Sequence, residues 1–273
     1  LSARLRRMIL SDEHVLSNMV GEASYDGAVW RRIAASGNIS GSGLINVNGG
    51  APINVALTSE GRKRTVSVTS SNGGAFMRDL GYFSNAIGGK LDILATINDA
   101  VEGRPVQGRV RMSNFRVVDA PTLANILNVG SLSGVADLLG VEGIRFDQLQ
   151  APFRMLNGQI IIRGARAIGP SLGVTIDGVI DRNRDEVALS GTLIPAYTIN
   201  SVLGKIPILG TLLTGGKGGG VFGLTYKVTG PTSKPEPSVN PLSALAPGAL
   251  RELLFGNQSP FFKTKDGDDV DRQ

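Results

Sequence analysis

The chain has 273 residues, 41% of them hydrophobic but only 5% aromatic, with 37 glycines and a net charge of +5. It is long enough for one large or two small domains, and the aliphatic, glycine-punctuated composition leans toward β structure rather than long helices. Cysteine is absent, which excludes disulfides, thiolate nucleophiles and thiolate metal sites.

Up to about residue 87, short alternating runs are separated by Gly, Asn and Ser. Ile53, Val55 and Leu57 are followed, across the polar loop Glu60 to Arg64, by Val66 and Val68, the pattern of a hairpin with one buried face. Phe76, Leu80, Phe83 and Ile87 fall near helical spacing, and Gly88-Gly89 reads as a helix stop. Period 2 returns with Leu91, Ile93, Ala95 and Ile97, then a turn to Pro105, then Val106, Val110 and Met112. Asp119 is placed to cap a helix carrying Leu123, Ile126 and Leu127, and a second short helix carries Leu132, Val135, Ala136 and Leu139 before Gly140.

Strands are expected over 145–154, 159–165, 174–180 and 187–193, the last two joined by the charged turn Asp181 to Asp185, with one more over 220–229. Val174, Ile176, Ile180, Val187, Leu189 and Leu193 alternate with small or polar residues, so one face of that hairpin is apolar. Residues 89–127 and 173–203 each run strand, turn, strand, short helix, a layout compatible with an internal repeat or with coincidence. Pro231, Pro235, Pro237 and Pro241 break periodicity, and Pro247 opens a helix with Leu250, Leu253, Leu254 and Phe255 on its apolar side. The last eleven residues read as a disordered tail. The expected division is therefore 1–88, 89–230, 231–262 and 263–273.

Motifs for chemistry are weak. Gly169-Pro170-Ser171-Leu172-Gly173 has the letters of a nucleophile elbow, but a strand follows it and the single histidine, His14, lies far upstream, so a turn is the better reading. Gly215-Gly216-Lys217 fails the phosphate-loop spacing, and Gly218 stands where the hydroxyl residue belongs. Asp266, Asp268, Asp269 and Asp271 lack the glycine and terminal glutamate of a calcium loop. No metal, cofactor or catalytic residue is assigned, and the basic residues are scattered without the interleaved aromatics of a nucleic-acid stripe. No run of about 18 apolar residues crosses a bilayer as a helix. The start at Leu1, without Met or a signal pattern, leads us to expect a piece of a longer protein with any anchor upstream.

Periodicity leaves two fates for the apolar strand faces: packing on a second layer, or an open trough for a lipid chain. The strings 169–175, Leu189 to Asn200, Lys205 to Gly210 and Val239 to Gly248 resemble the C-terminal region of AsmA-like bacterial envelope proteins, nearest the YhdP-type members. The likeness extends upstream through Gly74 to Gly81 and Gly88 to Leu91. The resemblance implies a mainly β fold with short helices, an elongated, twisted antiparallel sheet of repeating β-groove type with an apolar concave face. It implies a non-enzymatic periplasmic module, anchored in the inner membrane by a segment outside these residues and moving phospholipid toward the outer membrane. The groove side would carry Ile93, Ile97, Val110, Met112, Val174, Ile176, Val187 and Leu189, and the helix at Leu250, Leu253, Leu254 and Phe255 would contact a membrane or an envelope protein. A fully packed scaffold for outer-envelope assembly is the alternative.

Overall fold

The structure is a computed structural model, and it describes residues 1–11, 14–39, 50–129, 133–195 and 223–240. Among the described residues, thirteen strands form one antiparallel sheet in which each strand pairs with its neighbours in sequence. They are β1 (Ser2–Ser11), β2 (His14–Tyr25), β3 (Trp30–Ile39), β4 (Ala51–Glu60), β5 (Lys63–Ser70), β6 (Ala86–Asn98) and β7 (Val106–Val117). After two helices follow β8 (Ile144–Leu156), β9 (Gln159–Ile168), β10 (Leu172–Asp181), β11 (Glu186–Pro195), β12 (Leu224–Pro231) and β13 (Glu236–Asn240). The sheet is twisted and open, with no pairing between β1 and β13. At about 4.8 Å per strand it extends for roughly 58 Å across strands about 34 Å long, so it is elongated.

Among the described residues, three short helices accompany it: α1 (Gly73–Asp79), α2 (Pro121–Val129) and α3 (Ser133–Val141). The Asn72 side chain caps α1, its Oδ1 accepting from the Ala75 N–H at 3.0 Å. α1 lies over β6 and β7, α3 meets β8, and α2 reaches across to β13. Their apolar sides, including Phe76, Ile126, Leu127 and Leu139, join one continuous core with the sheet. Within it the rings of Phe115 and Phe146 stack at 5.3 Å.

Several expectations are corrected here. The helix expected from Phe76 to Ile87 ends at Asp79, and Gly81 takes a left-handed φ of +68° just beyond the Leu80 cap. Gly88 and Gly89 stop no helix; both lie inside β6 at φ +68° and +83°, and the register with β7 continues through them from Ala86 to Leu91 without a shift. Asp119 does not stand in a capping conformation: its φ is +45°, and Pro121 takes the first helical position. The proline-rich stretch contains β13, where Pro237 pairs with Val228. An edge strand tolerates proline because one side of its ladder has no partner to lose. Residue 88, taken as a domain limit, falls within β6, which pairs with β5 from Leu91 to Asn98. The helix expected at Pro247 to Phe255, with Leu250, Leu253, Leu254 and Phe255, lies outside the described residues, as do the glycine-rich loop near Lys217 and the helix of the second repeat unit.

A Cβ at position 89 would stand 2.7 Å from the Phe115 Cβ and 2.8 Å from the Met112 Cε, at a φ that side chains rarely adopt. Gly89→Ala is therefore expected to lower stability by about 1–3 kcal/mol with the β content retained, as measured by denaturant titration followed by circular dichroism.

Candidate functional site

The register aligns the apolar positions into four rows that cross the sheet. The first runs Ile53, Ser70, Leu91, Met112, Leu149, Ala167, Val174, Leu193 and Leu224, each residue opposite the next. The second contains Val55, Val68, Ile93, Val110 and Ala151, then Ala165 and Ile176 beyond a bulge. The third contains Leu57, Val66, Ala95, Gly108, Phe153, Ile162, Gly178, Leu189 and Val228. The fourth contains Ile97, Val106, Met155, Ile160, Ile180 and Val187. Rows lie about 7 Å apart, twice the rise per residue.

Such alignment needs every bulge to preserve which way side chains point. Gly164, at φ +65°, supplies one extra residue in β9 against both β8 and β10. Ile160 and Ile162 before it and Ala165 and Ala167 after it consequently remain on the same face.

All eight residues proposed from sequence stand on this face. Met112 and Val174 belong to the first row, Ile93, Val110 and Ile176 to the second, Leu189 to the third, and Ile97 and Val187 to the fourth. Their surroundings differ. Met112 is 3% exposed and Leu91 is fully buried, because α1 rests on them: a Cβ at Gly73 would meet both Leu91 and Met112. Leu193 and Leu224 are buried in the same row. Farther from the helices, Ile93, Ile97, Val110, Ile176 and Leu189 are only half-buried, as are Val106, Phe153 and Met155. The division is not a simple gradient: Leu149 and Val174 of the first row are half-buried, while Leu57, Ala95 and Val228 of the third row and Ile160 and Val187 of the fourth are buried, so the face beyond the helices is a mosaic of buried and half-buried aliphatic side chains.

Sequence reasoning missed three features of this surface. Tyr226 lies buried across Gly191, its strand partner, and donates its hydroxyl to the Thr175 carbonyl oxygen at 2.8 Å. Burial, reinforced by the nearby Asp177 charge, raises its pKa and keeps the hydroxyl a neutral donor. The fourth row turns polar at β4 and β5, where Ser59 pairs with Arg64 and Arg64 with Ile97. Arg64 donates from Nε and Nη2 to the two Asp99 carboxylate oxygens at 2.7 and 2.6 Å. Nearby, Arg31 binds Asp26 and donates to Ser59 Oγ and the Gly61 carbonyl. Asp26 also accepts from the Val29 and Ala28 N–H groups, and these bonds, with that from Arg31, lower its pKa to about 2. The only sequence signal was Arg64 itself, which interrupts an otherwise apolar parity.

Gly169 to Gly173 makes the tight connection from β9 to β10, with the Gly169 N–H donating to the Leu172 carbonyl at 3.0 Å. Ser171 is followed by a strand, so the strand-to-helix geometry of a nucleophile elbow is not formed. Among the described residues no cluster of His, Asp or Glu has the arrangement of a metal site, and no helix is long and apolar enough to cross a membrane. Comparison with protein-family models, with curated proteins and with solved structures finds no match to this chain.

The Arg64 hydrogen bond, first among the causes, lowers the Asp99 pKa below its ordinary 3.8. The stabilisation this implies is present above the unfolded carboxyl pKa and is lost as pH falls through the lower folded value. Asp99→Asn is expected to lower the melting temperature near neutral pH, with the difference from wild type shrinking below about pH 3. Melting curves across that range test it: a pH-independent difference would dissociate the loss from carboxylate ionisation.

Proposed function

We propose that this chain is a non-enzymatic module of an AsmA-like, inner-membrane-anchored envelope protein, and that its apolar sheet face carries phospholipid acyl chains through the periplasm toward the outer membrane. The observation that carries the reading is the half-burial of Ile93, Val110, Ile176 and Leu189 in aligned rows of aliphatic side chains. A face evolved only for packing would bury these positions as completely as it buries Leu91 and Leu193. An acyl chain laid along the rows removes about 0.8 kcal/mol of exposure per methylene. Aliphatic walls offer many similar dispersion contacts and no directional bond, which suits sliding more than tight retention.

The part of the face covered by the helices, where Leu91, Met112 and Leu193 are buried, favours a second role in the same module, a rigid region that holds the sheet's curvature. A scaffold with no lipid is the competing reading, and its sheet would be covered throughout by a protein partner. The headgroup stays in water at the open strand ends, beside the paired Arg64 and Asp99.

Photo-crosslinking residues placed at Ile93, Val110 and Leu189 are expected to capture phospholipid in cells, whereas those at Asp92 and Thr175, on the other face, are not. Mass spectrometry of the adducts reads the result. Equal labelling of both parities, or no lipid adduct at any site, would sink the conduit reading in favour of the scaffold.

A further inference from the structure

The face opposite the apolar rows carries a concentration of charge. Lys90 in β6, Arg109, Arg111 and Arg116 in β7, Arg145 and Arg154 in β8, and Arg163 and Arg166 in β9 are all exposed on it. These four strands contain only two carboxylates, Asp92 and Asp147, although the whole chain has a net charge of just +5. The register makes the cations neighbours: Arg111 stands opposite Asp92 and Gln150, Gln150 opposite Arg166, and Arg116 opposite Arg145. None of the eight forms an ion pair with a described residue; the described ion pairs are elsewhere in the sheet.

Exposed aliphatic side chains are interleaved with them. Ile87, opposite Arg116, is 44% exposed; Leu94, opposite Arg109, is 38%; and Ile168, opposite Gln148, is 56%. The aromatic residues of these strands, Phe115, Phe146 and Phe153, all belong to the apolar face instead.

We propose that this face of β6 to β9 docks the module on an anionic phospholipid bilayer surface. A two-dimensional array of cations, seven of them guanidinium groups and none in an ion pair with a described residue, complements a two-dimensional array of phosphates, and arginine suits phosphate through its planar, forked donors. Aliphatic side chains standing among the charges add contacts that the boundary between headgroups and acyl chains accepts. Single-stranded nucleic acid is a poorer fit, since its grip on proteins relies on aromatic stacking that this face lacks. The proposal is independent of whether the opposite face carries lipid.

The test is sedimentation of the purified chain with vesicles of phosphatidylcholine, alone or with about one-third phosphatidylglycerol. Binding is expected only to the anionic vesicles, weakening steeply with salt as a surface-charge attraction does. Substituting Arg109, Arg111, Arg154 and Arg166 together by Gln should weaken it by roughly a thousandfold, while the matching Lys substitutions retain most of it. Unchanged melting temperatures in both variants exclude a folding defect. Equal binding to neutral vesicles, an unaffected Gln variant, or tighter binding to duplex DNA than to anionic vesicles at the same salt would overturn the proposal.

Discussion

Everything distinctive about this molecule depends on register. A strand presents alternate residues to opposite faces, so a slip of one position would move an entire apolar set to the wrong side. Thirteen strands multiply that hazard, yet apolar positions of β4 to β12 stay aligned through the bulges. Gly164 shows how: the same extra residue is absorbed against both neighbours, bending β9 without inverting it. The arginine-rich face follows from the same alignment, because whatever is excluded from the apolar rows must appear together on the reverse side.

The middle of the fold was legible because its alternation is strong. Leu91, Ile93, Ala95 and Ile97 against Val106, Val110 and Met112 define a hairpin from letters alone, and Asp181 to Asp185 mark a turn between two equally clear strands. Asp181 secures that turn by accepting from the Asn183 and Arg184 N–H groups. Less legible were β1 to β3, where arginines and small residues dilute the alternation, and β13, hidden by its prolines. The helix misjudged near Phe83 shows a different failure. Apolar spacing compatible with a helical turn continued past Asp79, but Gly81 and the demands of β6 pairing ended it earlier.

The candidate site was readable as a parity and unreadable as a surface. Alternation assigns Ile93 and Met112 to one side, but nothing local indicates that α1 would cover the second and leave the first half-exposed; that depends on a helix returning over its own sheet. The arginine face was equally hidden. Arg109 and Arg166 are far apart in sequence and look scattered, until two consecutive strand pairings, β7 with β8 and β8 with β9, bring their rows side by side.

Pairing only between successive strands has a consequence for how such a chain assembles and diversifies. Most neighbouring strands are joined by short turns, the longer β7–β8 and β11–β12 connections excepted, so most of the sheet can zip from locally formed pairs without a distant search. Stability in a stack of this kind is a sum of nearest-neighbour terms, as in solenoid proteins. Adding or deleting a whole hairpin preserves both the direction of the next strand and the facing of its side chains. The lineage of such a chain can therefore change the length of its sheet in steps of about 10 Å, two strand spacings, while the remaining rows keep their alignment.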